Sequence, residues 1–103
     1  MLIVTVEVVF EGGFMEAEGV RDAFQAMEHA TRSEPGCLRY VSSIDVHDSR
    51  VLRIYEEWES MEALVPHFKT SHMAEFQTAL GGLQSVSMDA KVFEIRKELP
   101  FPN

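Results

Sequence analysis

A single cysteine, Cys37, stands among the 103 residues, so no internal disulfide can staple the fold, and a reducing compartment suits the chain. Long hydrophobic runs are also missing. The most apolar stretch, Leu2 to Phe10, is broken by Thr5 and Glu7 and falls far short of the ~20 residues that span a bilayer. No basic segment precedes Leu2-Ile3-Val4, so neither a signal peptide nor a membrane anchor is expected, and the cytoplasm is the expected location. Positive charge is scarce, with 9 Lys and Arg against 17 Asp and Glu, a formal net charge of −8. Such a field repels polyanions, which argues against nucleic acid and anionic membrane surfaces as partners. Repeats, low-complexity tracts, a Gly-rich phosphate loop, a Rossmann fingerprint and a Ser/His/Asp array are all absent.

What is present suits one globular domain over residues 1–103, with 46% hydrophobic and 25% charged residues, enough to bury a core. Leu2 to Phe10 is rich in β-branched residues and apolar at both parities, the pattern of a central strand covered on both faces. From about Ala17 to Arg32, the residues Val20, Ala23, Phe24, Met27 and Ala30 recur at helical spacing, and Pro35-Gly36 ends the segment. Leu38, Tyr40, Ile44 and Val46 then share one parity of a second strand. Arg50 to Trp58 forms a third, on which Leu52, Ile54, Glu56 and Trp58 point one way and Val51, Arg53, Tyr55 and Glu57 the other. Ser60 is placed to cap a short helix over Met61 to Phe68, with Pro66 expected to interrupt it just before His67. A further helix is expected from near Thr70, with Met73, Phe76 and Leu80 inward, ending at Gly81-Gly82. Ser85 to Lys97 reads as the last strand, with a bulge where the apolar parity changes between Val92 and Phe93.

The order β-α-β-β-α-β with right-handed crossovers predicts an α+β, ferredoxin-like fold, a four-stranded antiparallel sheet with its helices on one face. Helices on one face leave the other bare, yet the first strand asks for cover on both. A second copy of the chain is the expected cover, so a homodimer is expected.

Three segments carry a resemblance to a known family. They are Glu34-Pro-Gly-Cys-Leu-Arg-Tyr40, Tyr55-Glu-Glu-Trp-Glu-Ser60 and Glu62-Ala-Leu-Val-Pro-His-Phe-Lys-Thr-Ser-His-Met73. With the βαββαβ order they resemble the antibiotic biosynthesis monooxygenases, or quinol monooxygenases, of the dimeric α/β-barrel superfamily. The resemblance implies two sheets joined into a barrel across a dimer, with a pocket between each sheet and its helices. It implies a cofactor-independent oxidation of a small aromatic quinol or phenol, with dioxygen as co-substrate and neither metal nor flavin. Other relatives isomerise small metabolites, degrade haem or have no known activity. The haem-degrading branch has an axial His where this chain has Gln77, and an Asn on the first strand that is lacking here, so haem is not expected.

Glu56, Trp58, His67 and His72 fall on the family's motif. Glu56 and Trp58 share a parity, so both are expected between sheet and helices, with His67 the expected partner of a buried Glu56. Two roles are open to that pair. His67 is a general base toward a substrate oxygen with Glu56 orienting it, since an imidazole that titrates near ~6.5 suits proton transfer at neutral pH. Alternatively the two form a structural anchor of helix to sheet. His72 is a second polar contact, Trp58 an aromatic wall or plain core, and Tyr40 a pocket or half-buried sheet residue. His29 and His47 are expected in solvent, and Cys37 as a small buried hydrophobe. His67 and His72 stand about 140° apart on an unbroken helix, poor geometry for shared metal ligation; the break expected between the two helices leaves it open, but no clear third ligand is evident. No metal is therefore expected. An isomerase or tautomerase using the same histidine, and a non-catalytic small-molecule binding protein, remain as alternatives.

Overall fold

The computed structural model describes residues 1–103 as β1 (Leu2–Phe10), α1 (Val20–Arg32), β2 (Cys37–Ile44), β3 (Val51–Trp58), α2 (Met61–His67), α3 (Ser71–Ala79) and β4 (Ser85–Glu94). The strands lie in the order β2-β3-β1-β4 with every neighbour antiparallel. This is the ferredoxin-like α+β arrangement, its second crossover divided between α2 and α3. The double-sided apolar strand β1 is central, as its composition requires. No helix is long and apolar enough to cross a membrane.

Helix α1 begins at Val20, later than its periodicity suggests, because Gly19 adopts a left-handed backbone (φ 79°) at the N-cap. Its buried residues Val20, Phe24, Met27 and Thr31 form the inward stripe, and α1 packs along β2 and α3. Between β1 and α1, Phe14 is fully buried and stacks at 4.7 Å on Phe10 and 5.9 Å on Phe24. Phe24 meets Phe76 of α3 edge-on at 5.0 Å, so a row of rings ties β1, α1 and α3 together. Each such burial contributes about 1.5–3 kcal/mol. Phe14 sits in a loop without periodicity, which hides it from a pattern reading.

On β3 the alternation holds. Leu52, Glu56 and Trp58 are buried beneath the helices, whereas Arg53 on the far face bonds Glu7 at 2.9 Å and Asp45 at 2.7 Å. Tyr55 donates to Glu57 at 2.5 Å on that same face.

Two expectations of register fail. Leu38 does not share the inward face of Tyr40, because the pairing shifts between Cys37 and Arg39, and Leu38 is left half exposed. No bulge falls between Val92 and Phe93. The β1–β4 register runs unbroken from Leu2 opposite Glu94 to Val9 opposite Ser87 and shifts only at Val9 and Phe10. Strand β4 is an edge strand exposed along its whole length, so apolar residues of both parities are accommodated without a bulge. Its pairing ends at Glu94, short of Lys97.

Candidate active site

The site begins at a turn. Gly36 holds φ +83°, and a Cβ there would stand 2.4 Å from the Cβ of Ala63 in α2. Only glycine permits both the left-handed backbone and that approach. The Gly36 carbonyl accepts from Glu59 N–H at 2.8 Å, fastening the turn to the start of the following crossover. Glu34, two residues earlier, is thereby delivered against the helices.

Helix α2 is capped by Ser60, whose hydroxyl accepts from the Ala63 N–H at 3.3 Å. The helix runs on through Pro66 and ends at His67, one residue beyond the expected interruption. A proline late in a short helix forfeits one backbone bond but leaves the turn intact. The chain then tightens, with N–H groups of Phe68, Lys69 and Thr70 bonding back to Val65, Pro66 and His67. Thr70 closes the corner. Its hydroxyl donates to the His67 carbonyl at 2.8 Å and accepts from Met73 N–H at 3.2 Å, capping α3. The corner redirects the helix axis, so His67 and His72 converge instead of diverging.

They converge on Glu34. His67 Nδ1 lies 2.6 Å and His72 Nε2 2.9 Å from the same Glu34 oxygen, Oε2. A carboxylate only accepts, so both imidazole nitrogens are the donors. This corrects the expected pairing of His67 with Glu56. Glu56 instead accepts from Trp58 Nε1 at 2.8 Å, and the family segment beginning at Glu34 supplies the carboxylate for the histidines. His67 is 1% exposed, enclosed by the rings of Trp58 at 5.2 Å, Phe68 at 5.4 Å and Tyr40 at 6.0 Å.

Beyond His67 lies a cavity of about 430 Å³ between the sheet and α3. This is within the range of small-molecule pockets. Its wall is mostly apolar, from Val6 and Ile54 on the sheet to Met73 and Phe76 on α3 and Leu80 at its C-cap, with Met88 at the β4 side. The polar side chains that reach it include Tyr40, Glu56, His67 and Gln77, and no Lys or Arg lines it. Among the residues singled out from sequence, Tyr40, Glu56 and His67 line the cavity. Trp58 and His72 stand outside it, one behind Glu56 and the other behind Glu34.

The electrostatics follow from burial. Desolvation holds the Glu56 carboxyl above the usual carboxylate range, outweighing the bond from Trp58 and the nearby His67. Burial, with Glu56 and other acidic neighbours adding to it, pushes the Tyr40 phenol far above its ordinary value. Tyr40 is therefore a neutral donor at any physiological pH. Burial also raises the Cys37 thiol, which keeps it an inert packing group. His29 and His47 are exposed, as expected.

A ferredoxin-like sheet with an imidazole–carboxylate cluster beside a mostly apolar cavity defines a small α+β protein with an enclosed candidate site. Comparison with known proteins makes the class specific. The antibiotic biosynthesis monooxygenase family model matches residues 1–79, and the chain belongs to that family. It is 30% identical over 71 residues to an uncharacterised protein of Synechocystis sp. and spans about half the length of that relative, 48%. Among solved structures, a candidate antibiotic biosynthesis monooxygenase from Deinococcus radiodurans superposes with a TM-score of 0.77 at 23% identity, over 100% of both chains. A protein of Pseudomonas aeruginosa superposes at 0.77 with 25% identity, over 93% of this chain and 94% of its own.

Proposed function

We propose that the protein is a cofactor-independent monooxygenase that oxidises a small, uncharged aromatic phenol or quinol with dioxygen. The observation that carries this reading is the Glu34–His67 pair at the wall of an apolar cavity, in a chain of the monooxygenase family. Glu34 accepts a hydrogen bond from His67 Nδ1–H, which fixes the tautomer and leaves Nε2 as the base. Nε2 accepts the phenolic proton, and Glu34 stabilises the imidazolium that results. Tyr40, held neutral, donates to the substrate oxygen, and Glu56, anchored by Trp58, offers its second oxygen to a further hydroxyl. The phenolate passes an electron to dioxygen, and the two radicals join at a ring carbon. Loss of water then leaves one oxygen atom in the product as a quinone carbonyl and the other in water.

The lining supports an uncharged substrate. A carboxylate or phosphate in the cavity would meet Glu56 with no Lys or Arg to neutralise it. Supporting a homodimer, Val86 and Met88 of β4 are 65% and 67% exposed, and Met88 stands at the cavity wall. A second copy over β4 would bury that apolar edge and complete the enclosure. The test is turnover of a phenol and quinol panel with and without oxygen. Activity should vanish anaerobically. Activity that persists, with product of unchanged mass, would make the protein an isomerase using the same base.

A further inference from the structure

We propose that Glu34, His67 and His72 also form a binding site for one divalent transition-metal ion, of the class typified by zinc. The three donor atoms are His67 Nδ1, His72 Nε2 and a Glu34 oxygen, all within 4.8 Å of one another. Two imidazoles and one carboxylate suit zinc and its first-row neighbours better than magnesium or calcium, which favour all-oxygen shells. Around an ion with bonds near ~2.1 Å, adjacent donors stand roughly 3.0 to 3.4 Å apart. The Glu34–His72 separation of 2.9 Å is already close to that spacing, whereas the 2.6 Å contact to His67 must open by about half an ångström. The adjustment falls to the two less enclosed groups. Glu34 lies in a loop and His72 in the first turn of α3, with side chains 12% and 20% exposed, while His67 is fixed at 1%.

The surroundings draw a cation to this point. On one side of the cluster a surface depression is lined by Glu34, Glu59 and Glu62; on the other, Asp22, Glu75 and His72 line a second. Neither contains a Lys or Arg. The depressions also give an ion a route from solvent and room for a water as fourth ligand. The 140° separation holds only for an unbroken helix, and the break expected between the two helices left shared ligation open. The corner at Thr70 brings the two rings together, and Glu34 supplies the third donor that the sequence did not show. Ion and hydrogen compete for the same His67 nitrogen. An ion-bound chain is thus a resting form of the proposed base, a consequence that rests on the function above, whereas the binding does not.

The experiment uses the full-length chain, freed of metal by chelator and dialysis. Zinc is titrated by calorimetry, and cobalt(II) by its visible ligand-field absorption. The structure requires saturation at one ion per chain and cobalt bands of a low-symmetry nitrogen–oxygen site. Glu34→Gln and His72→Ala should each weaken binding by roughly tenfold or more. The double variant H29A/H47A, which removes the two solvent histidines, should bind as the parent does. Circular dichroism confirms each fold, and His72→Gln replaces His72→Ala if that variant unfolds. Absence of saturable binding, binding undiminished without His72, or binding lost in H29A/H47A overturns the proposal.

Discussion

At the scale of single residues, the site depends on which carboxylate meets which partner. His67→Ala should cut turnover by roughly a hundredfold or more, the scale of a lost general base, while the chain still folds. Glu34→Gln should cost less, because the amide still reaches Nδ1 but cannot stabilise an imidazolium, and His72→Ala less again. Steady-state rates check that order; equal losses for all three would mean a structural cluster. Glu56 makes a separate prediction about pH. Burial raises its folded pKa above the unfolded value, so the folded state holds the proton more tightly. Its contribution is fully present below the unfolded pKa and is lost as pH rises through the folded one. Glu56→Gln keeps an acceptor for Trp58 Nε1 and removes the charge. The stability of E56Q relative to the parent should therefore grow from about pH 4 to pH 7, measured by thermal unfolding at each pH. A gap that stays constant or shrinks would show Glu56 unburdened by burial. Sequence pattern located His67, Glu56, Trp58 and His72 correctly on their elements. It could not pair them, because parity says which face a side chain takes and nothing about a loop residue such as Glu34. The signals for Glu34 were its place at the head of the Pro-Gly turn and of the first family-like segment, neither of which assigns it a partner.

Elements carry the next level of control. The strand order and sidedness were legible because β-branched runs and period-two alternation are local properties, which β1 and β3 obey throughout and β2 obeys beyond the register shift before Arg39. The edge strand β4 defeated the same reasoning, since a strand buried on neither face leaves no parity to enforce. The helix corner was half legible. Pro66 signalled a break, but the redirection comes from Thr70, whose hydroxyl serves both helices at once. The turn at Gly36 is the more severe constraint. Gly36→Ala forces a Cβ into Ala63 and a left-handed backbone on alanine, together worth about 2–4 kcal/mol. Denaturant unfolding should show that loss, with no comparable loss for Gly12→Ala, where no atom lies within 4 Å of the added Cβ. Equal stability of G36A and the parent would mean that the turn does not hold Glu34 in place.

For the whole molecule, the far face of the sheet and the exposed β4 are the surfaces on which the proposed dimer is tested. That face is more polar than the double-sided β1 suggested, carrying the Glu7–Arg53–Asp45 network and the Lys91–Asp89 pair. A dimer that covers it should be sensitive to salt as well as bury apolar area, with more than ~1,000 Å² in the interface. Sedimentation at micromolar concentration should give about twice the 11.7 kDa chain mass. A stable monomer there would remove the argument for β4 as an interface. The central claim, that His67 readies a bound phenol for attack on dioxygen, is tested most directly by isotope. The parent chain and His67→Ala are supplied with a turned-over quinol under ¹⁸O₂, and the product is weighed by mass spectrometry. The account predicts one labelled oxygen per product molecule from the parent and little product from the variant. Product that forms without label, or forms as fast in the variant, contradicts it.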